Sequence, residues 1–247
     1  MFQQRLLPLA LAATLFPGLA MADTVGWRMG ANAWQQNYDG EVQDGPSKLD
    51  LEDDLGFDDD NGYNLYIQLE HPIPVLPNLM LQRTQVDADA TGDVVNVIFD
   101  GNVYNGEVRT TLDLTHTDAT FYYELLDNWV NLDVGVTGRV FDEGVEVTDV
   151  ATGTKGSLDI DYVIPLLYVS ARLDLPLTGL SIGAEAQGVE YDGDSLYDIK
   201  ANIAYEFAFG LGIEGGYRTF ELDYDEDDDE FADVTIDGVY GGFYWDF

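Results

Sequence analysis

Three things are scarce or missing in this sequence: cysteine, basic side chains and long apolar segments. Because cysteine is absent, the chain cannot form a disulfide, a thiolate nucleophile or a cysteine-ligated metal site. Lys and Arg number 10 against 47 Asp and Glu, which gives a net charge of −37. A surface of that sign repels a polyanion, so nucleic acid is excluded as a partner. The chain is nevertheless 46% hydrophobic and 13% aromatic, which indicates a folded protein.

The first 22 residues have the pattern of a secretory signal peptide. Arg5 supplies a short positive region, 6–19 is largely apolar, and Ala20-Met21-Ala22 fits the small-x-small cleavage pattern. We therefore expect residues 23–247 to form the folded protein. No apolar run in that part is long enough for a transmembrane helix. A secreted chain that crosses a membrane without such a helix needs a closed β-barrel, which pairs every backbone polar group internally.

The final residues of the chain alternate between two chemically different faces. Val239, Gly241, Phe243, Trp245 and Phe247 share one face, and the residues between them share the other. A period of two over this length indicates a β-strand. An aromatic last residue on such a strand is typical of the closing strand of a bacterial outer-membrane barrel. We therefore expect Phe247 to be the signal that the barrel-assembly machinery recognises.

Ten stretches of the chain have strand periodicity. Their predicted bounds are 24–38, 62–71, 78–90, 107–125, 129–142, 157–175, 179–191, 196–209, 211–224 and 233–247. Each is long enough for the roughly 9–11 residues that a tilted strand needs to cross a bilayer. An even number of strands places both ends of the chain on one side of the membrane. The sequence therefore predicts an all-β fold, a transmembrane antiparallel up-and-down β-barrel of about ten strands.

The connections between these strands alternate between two kinds. Tight turns are predicted at 71–78, 127–128, 176–178 and 210. The other connections are mostly long, polar and acidic, and they are 39–61, 91–106, 143–156, 192–195 and 225–232. Short periplasmic turns and longer outer loops are the pattern of outer-membrane barrels. We therefore expect the protein in the outer membrane of a Gram-negative bacterium, surrounded by lipid and lipopolysaccharide.

The basic residues indicate which strand face meets lipid. An Arg or Lys on the lipid face costs about 2–4 kcal/mol near the middle of the membrane, so it is expected on the other face. The charges predicted to point into the barrel are Arg28, Arg139, Arg172, Lys200, Arg218, Asp118, Glu124, Asp133, Glu185, Glu206 and Glu214. Arg83 does not fit, because Leu79 and Leu81 share its parity. The interior is expected to hold compensating ion pairs, and a narrow polar conduit is the alternative.

One predicted strand changes phase part-way along its length. Apolar residues have even parity at Leu112 and Leu114 but odd parity from Ala119 onward. If all of them face lipid, a β-bulge near Thr115–Thr117 is required. Such a bulge also turns His116 and the later residues of its parity toward the interior.

Few side chains are candidates for catalysis. His116 lies two residues from Asp118, and with Ser170 or Ser181 it could form a Ser-His-Asp arrangement. No nucleophile motif marks either serine, and the wall of a barrel gives a substrate poor access. A buried polar pair is the alternative interpretation. We therefore expect no enzyme activity, and no cofactor is predicted.

The long loops contain dense acidic runs. Their candidate metal ligands are Asp58, Asp60, Asp225, Asp227 and Asp229. Carboxylate oxygens suit Ca²⁺ or Mg²⁺, but neither run has the spacing of an EF-hand. Weak, screened binding of these cations and a plain solvated surface are the two interpretations.

The first long loop also contains an apolar pattern. Leu49, Leu51 and Leu55 are spaced so that one amphipathic turn could place all three against the rim of the barrel. This pattern predicts that part of the loop is folded.

Several motifs occur in the order found in a known family. They are His71-Pro-Ile-Pro-Val-Leu-Pro-Asn78, Leu112-Asp-Leu-Thr-His-Thr-Asp118, Tyr122-Tyr-Glu-Leu-Leu-Asp-Asn128, Leu132-Asp-Val-Gly135, Ile164-Pro-Leu-Leu-Tyr168 and Tyr240-Gly-Gly-Phe243. Together they resemble a family of proteobacterial outer-membrane β-barrel proteins named for a Gly-Gly pair near the C-terminus. The resemblance covers nearly all of the chain after the signal peptide. It implies a location and an architecture, with no established activity and no catalytic residues.

Three functions are compatible with these patterns. The first is an integral outer-membrane barrel with a structural or surface-interaction role, its acidic loops near lipopolysaccharide and divalent cations. The second is a narrow channel for small or cationic solutes, although ten strands are far fewer than the 16–18 of porins with an aqueous pore. The third is an outer-membrane enzyme that uses His116.

Overall fold

The computed structural model describes residues 25–160, 163–226 and 230–247, most of which lie in β-strands. The strands are β1 (Gly26–Asp44), β2 (Lys48–Asp50), β3 (Asp60–Glu70), β4 (Asn78–Thr84), β5 (Asp87–Phe99), β6 (Asn102–Asp113), β7 (His116–Leu126), β8 (Val130–Phe141), β9 (Gly144–Asp149), β10 (Lys155–Asp159), β11 (Ile164–Leu175), β12 (Leu180–Tyr191), β13 (Asp194–Glu206), β14 (Leu211–Glu226) and β15 (Glu230–Asp246). A 3-10 turn, Ala208–Gly210, connects β13 to β14. Within these ranges no helix is long and apolar enough to cross a membrane. The predicted signal peptide lies outside the described residues.

Ten of the strands form a closed antiparallel barrel. Their order around the wall is β1, β3, β4, β7, β8, β11, β12, β13, β14 and β15, and β15 also pairs with β1. The closing contact includes two hydrogen bonds between the backbones of Trp27 and Phe247, each with an N···O distance of 2.9 Å. Every strand of the barrel therefore has a neighbour on each side, and the ten-stranded wall is closed, while the short strand β2 pairs only with the end of β1. The predicted up-and-down barrel of ten strands is confirmed.

The wall of the barrel has an apolar outer face. On β15, Val239, Phe243 and Trp245 are exposed, whereas Tyr244 is buried and Tyr240 is half-buried. The other barrel strands alternate in the same way, with exposed aliphatic and aromatic side chains on the outside. A fully paired backbone inside an apolar outer surface is what a lipid bilayer requires.

The short connections lie together at one end of the barrel, which we call the short-turn end. They are 71–77, 127–129, 176–179 and 207–210. The opposite end, which we call the loop end, carries the remaining connections. One of these, predicted as a loop over 192–195, is a two-residue turn in which Asp192 and Gly193 have φ angles of 56° and 112°. Positive φ at both positions is the geometry of a tight hairpin.

The loop end also carries a second sheet, in a region that the sequence analysis assigned largely to loops. Its strand order is β10-β9-β6-β5. The predicted loops 91–106 and 143–156 are hairpins of this sheet, and the predicted strand 78–90 is divided between β4 and β5. The loop prediction was wrong for these residues. It was based on their acidity, but acidic and apolar residues alternate here, which is the pattern of a strand with one buried face. Ala88 is buried against an apolar core while its neighbour Asp89 is exposed.

Two other predicted loops are shorter than expected. In 39–61, β1 continues to Asp44 and β2 follows it. In 225–232, β14 continues to Glu226 and β15 begins at Glu230, while 227–229 lies outside the described residues. Strands at both places extend beyond the part of the wall that is apolar on the outside.

The β-bulge predicted near Thr115–Thr117 is wrong. The register shift on β7 lies between Glu124 and Leu126. Leu112 and Leu114 are both buried, on the same parity as the inward residues of β7. The prediction assumed that apolar residues face lipid, whereas the interior near the loop end is itself apolar.

Arg83 lies on the outer face of β4, as its shared parity with Leu79 and Leu81 requires. Its guanidinium forms an ion pair with Asp142 and donates a hydrogen bond to Thr117 Oγ1 at 2.9 Å. Pairing with a carboxylate offsets part of the cost of a cation on this face. Arg83 and Asp142 therefore mark the margin where the apolar outer surface ends.

Candidate functional site in the barrel interior

The interior changes character along the barrel axis, and we divide it into three layers. The polar cavity lies toward the short-turn end. The ion network consists of Asp118, Arg139, Asp198 and Arg218. The apolar plug consists of residues 49–57 and closes the loop end, packed on apolar side chains of the wall.

The ion network joins strands on different sides of the barrel. Arg139 on β8 donates two hydrogen bonds to Asp118 on β7, from Nε to Oδ1 at 2.8 Å and from Nη2 to Oδ2 at 2.7 Å. Its Nη2 also donates to Asp198 Oδ2 on β13 at 2.8 Å. Asp198 accepts two further bonds from Arg218 on β14, at 2.8 and 2.6 Å. All four side chains are at most 2% exposed, so the two cations and two anions compensate each other away from solvent.

Neutral side chains complete this layer. Gln187 Oε1 accepts a hydrogen bond from Arg139 Nη2 at 3.3 Å, and Thr84 Oγ1 accepts one from Arg218 Nη1 at 3.3 Å. The guanidinium carbon of Arg218 lies 4.6 Å from the centroid of the Trp34 ring, within the range of a cation–π interaction. The layer therefore separates the polar cavity from the apolar plug.

The apolar plug is a folded turn of the first long loop. Leu49, Leu51, Leu55 and Phe57 are each at most 3% exposed, and they belong to the same apolar cluster as the wall residues around them. Asp50 Oδ1 accepts hydrogen bonds from the backbone N–H groups of Glu52 and Asp53, at 2.9 and 2.8 Å. The leucine spacing noted in the sequence therefore places three side chains inside the loop end of the barrel.

The apolar plug is held closely against β5. A Cβ atom added at Gly92 would lie 2.0 Å from the carbonyl oxygen of Asp54, a distance that no side chain tolerates. On the other side of the contact, Gly56 has φ 79°, and a Cβ there would lie 2.5 Å from the carbonyl oxygen of Thr91. Two glycines thus allow the backbones of the plug and of β5 to approach each other.

His116 packs in the apolar region beside the ion network. Its ring lies 5.4 Å from the Phe141 ring and 5.9 Å from the Phe220 ring, measured between centroids. Its Nδ1 is 2.8 Å from the carbonyl oxygen of Leu114, and the residue has no exposed surface. Its neighbour Asp118 is bound to arginine. These are the contacts of a packed core residue.

The two serines considered with His116 lie nearer the short-turn end. Ser170 faces Asp133 and Ser181 faces Asp174 in the register of the wall, whereas His116 faces Phe141, the last residue of β8. The structure therefore does not bring these serines together with the histidine.

The polar cavity has a volume of about 130 Å³. The charged side chains that line it are Arg28, Glu70, Glu124, Asp133, Arg172, Glu185, Lys200 and Glu214. Five of these are acidic and three are basic, so the cavity carries an excess of negative charge. Glu124 is exposed at the short-turn end, which indicates that the cavity reaches that rim.

Most of the basic residues around the polar cavity already have a partner. Lys200 Nζ lies 2.7 Å from Glu185 Oε1, and Arg172 Nε lies 3.2 Å from Asp174 Oδ1. The guanidinium carbon of Arg28 lies 4.1 Å from the centroid of a tyrosine ring on β15.

The carboxylates of the polar cavity are less evenly matched. Glu214 Oε1 accepts hydrogen bonds from Asn32 Nδ2 at 2.8 Å and from the Tyr66 hydroxyl at 3.1 Å, both neutral donors. Glu206, the last residue of β13, is exposed at the short-turn end. All the charges predicted to be interior therefore lie on inward-facing positions, in the ion network, around the polar cavity or at its rim.

Comparison with solved structures bears on the fold. The chain is similar to the outer-membrane protease OmpT from Escherichia coli with a TM-score of 0.50 and 12% identity, over 94% of this chain and 99% of that one. The closed wall, its apolar outer surface and this likeness lead to one conclusion. The chain is an outer-membrane β-barrel protein.

Two other structures align with lower TM-scores. An outer-membrane channel from Pseudomonas putida F1 gives 0.38 with 12% identity, covering 95% of this chain and all of that one (100%). AlkL in lipid bilayers gives 0.31 with 11% identity, covering 96% and 97% of the two chains. No family model and no curated protein sequence matches the chain.

The outer-membrane location orients the interior. In barrels of this class the short turns face the periplasm and the long connections face the medium. The polar cavity therefore faces the periplasm, and the apolar plug closes the extracellular side. The barrel strands cross the Gram-negative outer membrane between these two ends.

The candidate metal ligands of the acidic loops lie on the surface where the structure describes them. Asp58, Asp60 and Asp225 are exposed, and no group of described His, Asp or Glu residues is placed to hold a metal ion. Asp227 and Asp229 lie outside the described residues.

The apolar filling of the extracellular half was not predicted from the sequence. Val108 and Leu112 on β6 and Val145 and Val147 on β9 are buried there. A signal was present, because these residues alternate with polar ones at a period of two. The alternating residues were predicted to face lipid or to lie in loops, because the interior of an outer-membrane barrel is usually polar.

Proposed function

We propose that this outer-membrane barrel has a sealed interior and serves a structural or surface-interaction role. The ion network carries this proposal, because it connects β7 and β8 to β13 and β14 through the lumen with side chains that are at most 2% exposed. A solute that crosses must separate these charges. Breaking a buried pair leaves a charge without compensation and costs about 3–5 kcal/mol.

The apolar plug supports the same proposal from the extracellular side. A hydrated ion that passes the ion network meets Leu51, Leu55 and Phe57, none of which offers a polar group. Transfer of an ion into such a region is strongly unfavourable. Two barriers of different chemistry therefore lie in series between the polar cavity and the medium.

A surface role is supported by the sheet of β5, β6, β9 and β10. Its outer face carries exposed carboxylates, among them Asp89, Asp93 and Glu107, on hydrogen-bonded strands. A folded acidic surface is suited to the neighbourhood of lipopolysaccharide, where divalent cations bridge anionic groups. We propose lipopolysaccharide and the cations associated with it as the partners of this surface.

The test of sealing is conductance of the refolded protein in planar lipid bilayers. We expect no stable current from the unaltered protein. Leu55→Asp places a charge in the apolar plug and is expected to increase the frequency of brief openings, while Glu52→Gln on the exposed side of the same turn leaves the membrane silent. Stable channels in the unaltered protein would overturn the proposal.

A narrow channel for small or cationic solutes is the second candidate, and the polar cavity favours it. Five carboxylates and three bases line the cavity, so it attracts cations from the periplasm. Conduction then requires movement of both the ion network and the apolar plug. A cation-selective current that falls in Glu185→Gln would support this candidate, because Glu185 lines the cavity.

We also propose that the chain belongs with the outer-membrane barrels named for a C-terminal Gly-Gly pair. Gly242 supports this, since a Cβ atom there would lie 2.0 Å from the carbonyl oxygen of Ala31 on the first strand. Phe247 is proposed as the signal for the barrel-assembly machinery. If so, Phe247→Ala lowers the amount of heat-modifiable barrel in cells while the purified variant still refolds in detergent.

A further inference from the structure

We propose that the polar cavity binds a linear polyamine, an alkyl chain that carries three ammonium groups, from the periplasm. This inference goes beyond the sealed barrel described above and does not require conduction in either direction. It rests on the distribution of charge in the cavity, on its aromatic lining and on a buried acceptor at its inner part.

The first argument is a group of carboxylates near the mouth. Glu70, Glu124 and Asp133 all line the cavity, and Glu124 faces Asp133 directly across β7 and β8. Like charges in that position repel each other. Among the described residues no basic side chain forms an ion pair with any of the three, although Arg172, which pairs with Asp174, also interacts electrostatically with Glu70 and Asp133. Glu70 accepts a hydrogen bond from the Tyr122 hydroxyl at 3.3 Å. A cation from solution would relieve this repulsion.

The second argument is an acceptor pair farther inside. Glu214 is bound by the neutral donors Asn32 and Tyr66, and the carbonyl oxygen Oδ1 of Asn32 is buried without a hydrogen-bond partner among the described residues. Asn32 is 7% exposed and lines the cavity. A buried acceptor beside a carboxylate is a suitable site for an ammonium group, which has three donors and no acceptor. Arg28 lies over the ring of Tyr244 and interacts with Glu214 electrostatically without forming an ion pair with it.

The two acceptor groups lie at different depths. Glu70 faces Gly26, the first residue of β1, whereas Asn32 lies six residues farther along the same strand. At about 3.3 Å per residue in a tilted strand, this separates them by more than the length of a single ammonium group. A chain with three ammonium groups extends far enough to approach both groups, whereas a short diamine or a monoamine contacts only one.

The lining between them favours an organic cation over a metal ion. Tyr66, Tyr168 and Tyr240 contribute aromatic rings, and Met80 contributes an apolar side chain. Tyrosine rings attract organic ammonium groups, and methylene groups gain from burial beside them. The volume of about 130 Å³ is close to that of cavities that hold one benzene, so a bound chain must be slender and must extend out through the open mouth at the short-turn rim.

Isothermal titration of the refolded protein in detergent tests the proposal. At physiological salt we expect spermidine to bind with a stoichiometry of one, and putrescine and butylamine to bind at least tenfold more weakly, because neither is long enough to approach both acceptor groups. Glu214→Gln should weaken the binding of spermidine at least tenfold. Glu221→Gln, on the exposed outer face of the same strand, should change its affinity less than twofold.

Three outcomes would overturn the proposal. One is an equal loss of spermidine affinity in Glu214→Gln and Glu221→Gln, which would indicate diffuse attraction to an acidic surface. Another is competition by Mg²⁺ at equal concentration with the same dependence on Glu214, which would indicate a metal site. The third is butylamine binding as tightly as spermidine. Asp133→Asn gives the same test at the mouth if Glu214→Gln does not refold, with refolding judged by heat-modifiable gel migration. Conductance is a separate measurement, so failure of polyamine binding leaves the sealed-barrel proposal untouched.

Discussion

Arg139 and Asp118 face each other directly across β7 and β8 and form two hydrogen bonds, at 2.8 and 2.7 Å, with no exposed surface on either side chain. The pair is completed by Asp198, which also binds Arg218. Four charges that compensate each other inside the barrel depend on one another. The loss of one carboxylate leaves two arginines with a single anion.

The first prediction concerns that dependence. Asp198→Asn should lower the free energy of unfolding in lipid by about 3–5 kcal/mol, because a buried charge is left uncompensated. Asp142→Asn is the matched control, since its carboxylate pairs with Arg83 at a partly exposed site, and it should cost no more than about 1 kcal/mol. Urea unfolding of vesicle-inserted protein, followed by tryptophan fluorescence, measures both. Equal effects of the two substitutions would argue against a buried network.

The second prediction concerns the Gly-Gly pair. At Gly242 a Cβ atom would lie 2.0 Å from the Ala31 carbonyl oxygen and 2.3 Å from Asn32 Oδ1, so Gly242→Ala forces β1 and β15 apart. We expect a loss of about 1–3 kcal/mol, the usual cost of overpacking. At Gly241 the nearest atom to such a Cβ lies at 3.6 Å, and Gly241→Ala should have little effect. The temperature at which the folded band disappears on gels ranks the variants, and the reverse ranking would contradict the register of β15.

The third prediction is a pH dependence outside the membrane. Hydrogen bonds from the backbone and side chain of Thr152 hold the pKa of Asp149 below its ordinary value, and the backbone of Ala151 adds another. A lowered pKa stabilises the fold above the unfolded pKa, near 3.8, and this contribution is lost as pH falls through the lower, folded pKa. Protection of the 150–154 amides from hydrogen exchange, corrected for intrinsic rates, should therefore decrease on acidification below about pH 4.

The control for this prediction keeps the acceptor but removes the charge. In Asp149→Asn the protection of the hairpin should be lower at neutral pH and should no longer change with acidification. Unaltered protein with the same protection at pH 3 and pH 6 would show that Asp149 does not hold the turn.

The fourth prediction concerns the lipid-facing wall. Leu167 is 70% exposed on the outside of β11, so Leu167→Arg places a cation in the bilayer and should cost about 2–4 kcal/mol. Gln35→Arg introduces the same side chain on the outer face of β1 near the loop end and should cost at most about 1 kcal/mol. Equilibrium unfolding in vesicles measures the loss of stability in both variants. If Leu167→Arg costs no more than Gln35→Arg, residue 167 does not face the bilayer.

The strand pattern of the barrel could be predicted from sequence because a bilayer selects outward residues strongly. Arg139 and Arg218 alternate with apolar neighbours, and this alternation was enough to predict that both side chains point into the barrel. Their shared partner could not be found in this way. Asp198 reaches Arg139 across the lumen, and that contact depends on the stagger of all the strands between them.

Where no lipid acts, the same reasoning failed. The pattern predicts that Leu112 and Leu114 face the membrane and that a bulge follows them. Both leucines instead lie in the same buried apolar cluster as the plug, and the bulge does not exist. The leucines of 49–55 were easier to interpret, since a cluster of apolar residues in an acidic loop is expected to be buried against the nearest apolar surface. The polarity of a strand residue alone therefore does not predict whether its side chain faces lipid or an apolar interior.

The contact between Trp27 and Phe247 has a consequence for biogenesis. It joins the first and last strands, so the barrel closes through the pairing with the largest separation along the chain. A nascent chain that lacks its final strand has two unpaired edges, and inserting those edges into lipid exposes their backbone groups to hydrocarbon. Closure through distant segments is also slow. Synthesis must therefore finish before insertion does, and the polypeptide has to be kept unfolded in the periplasm until its last residue has arrived.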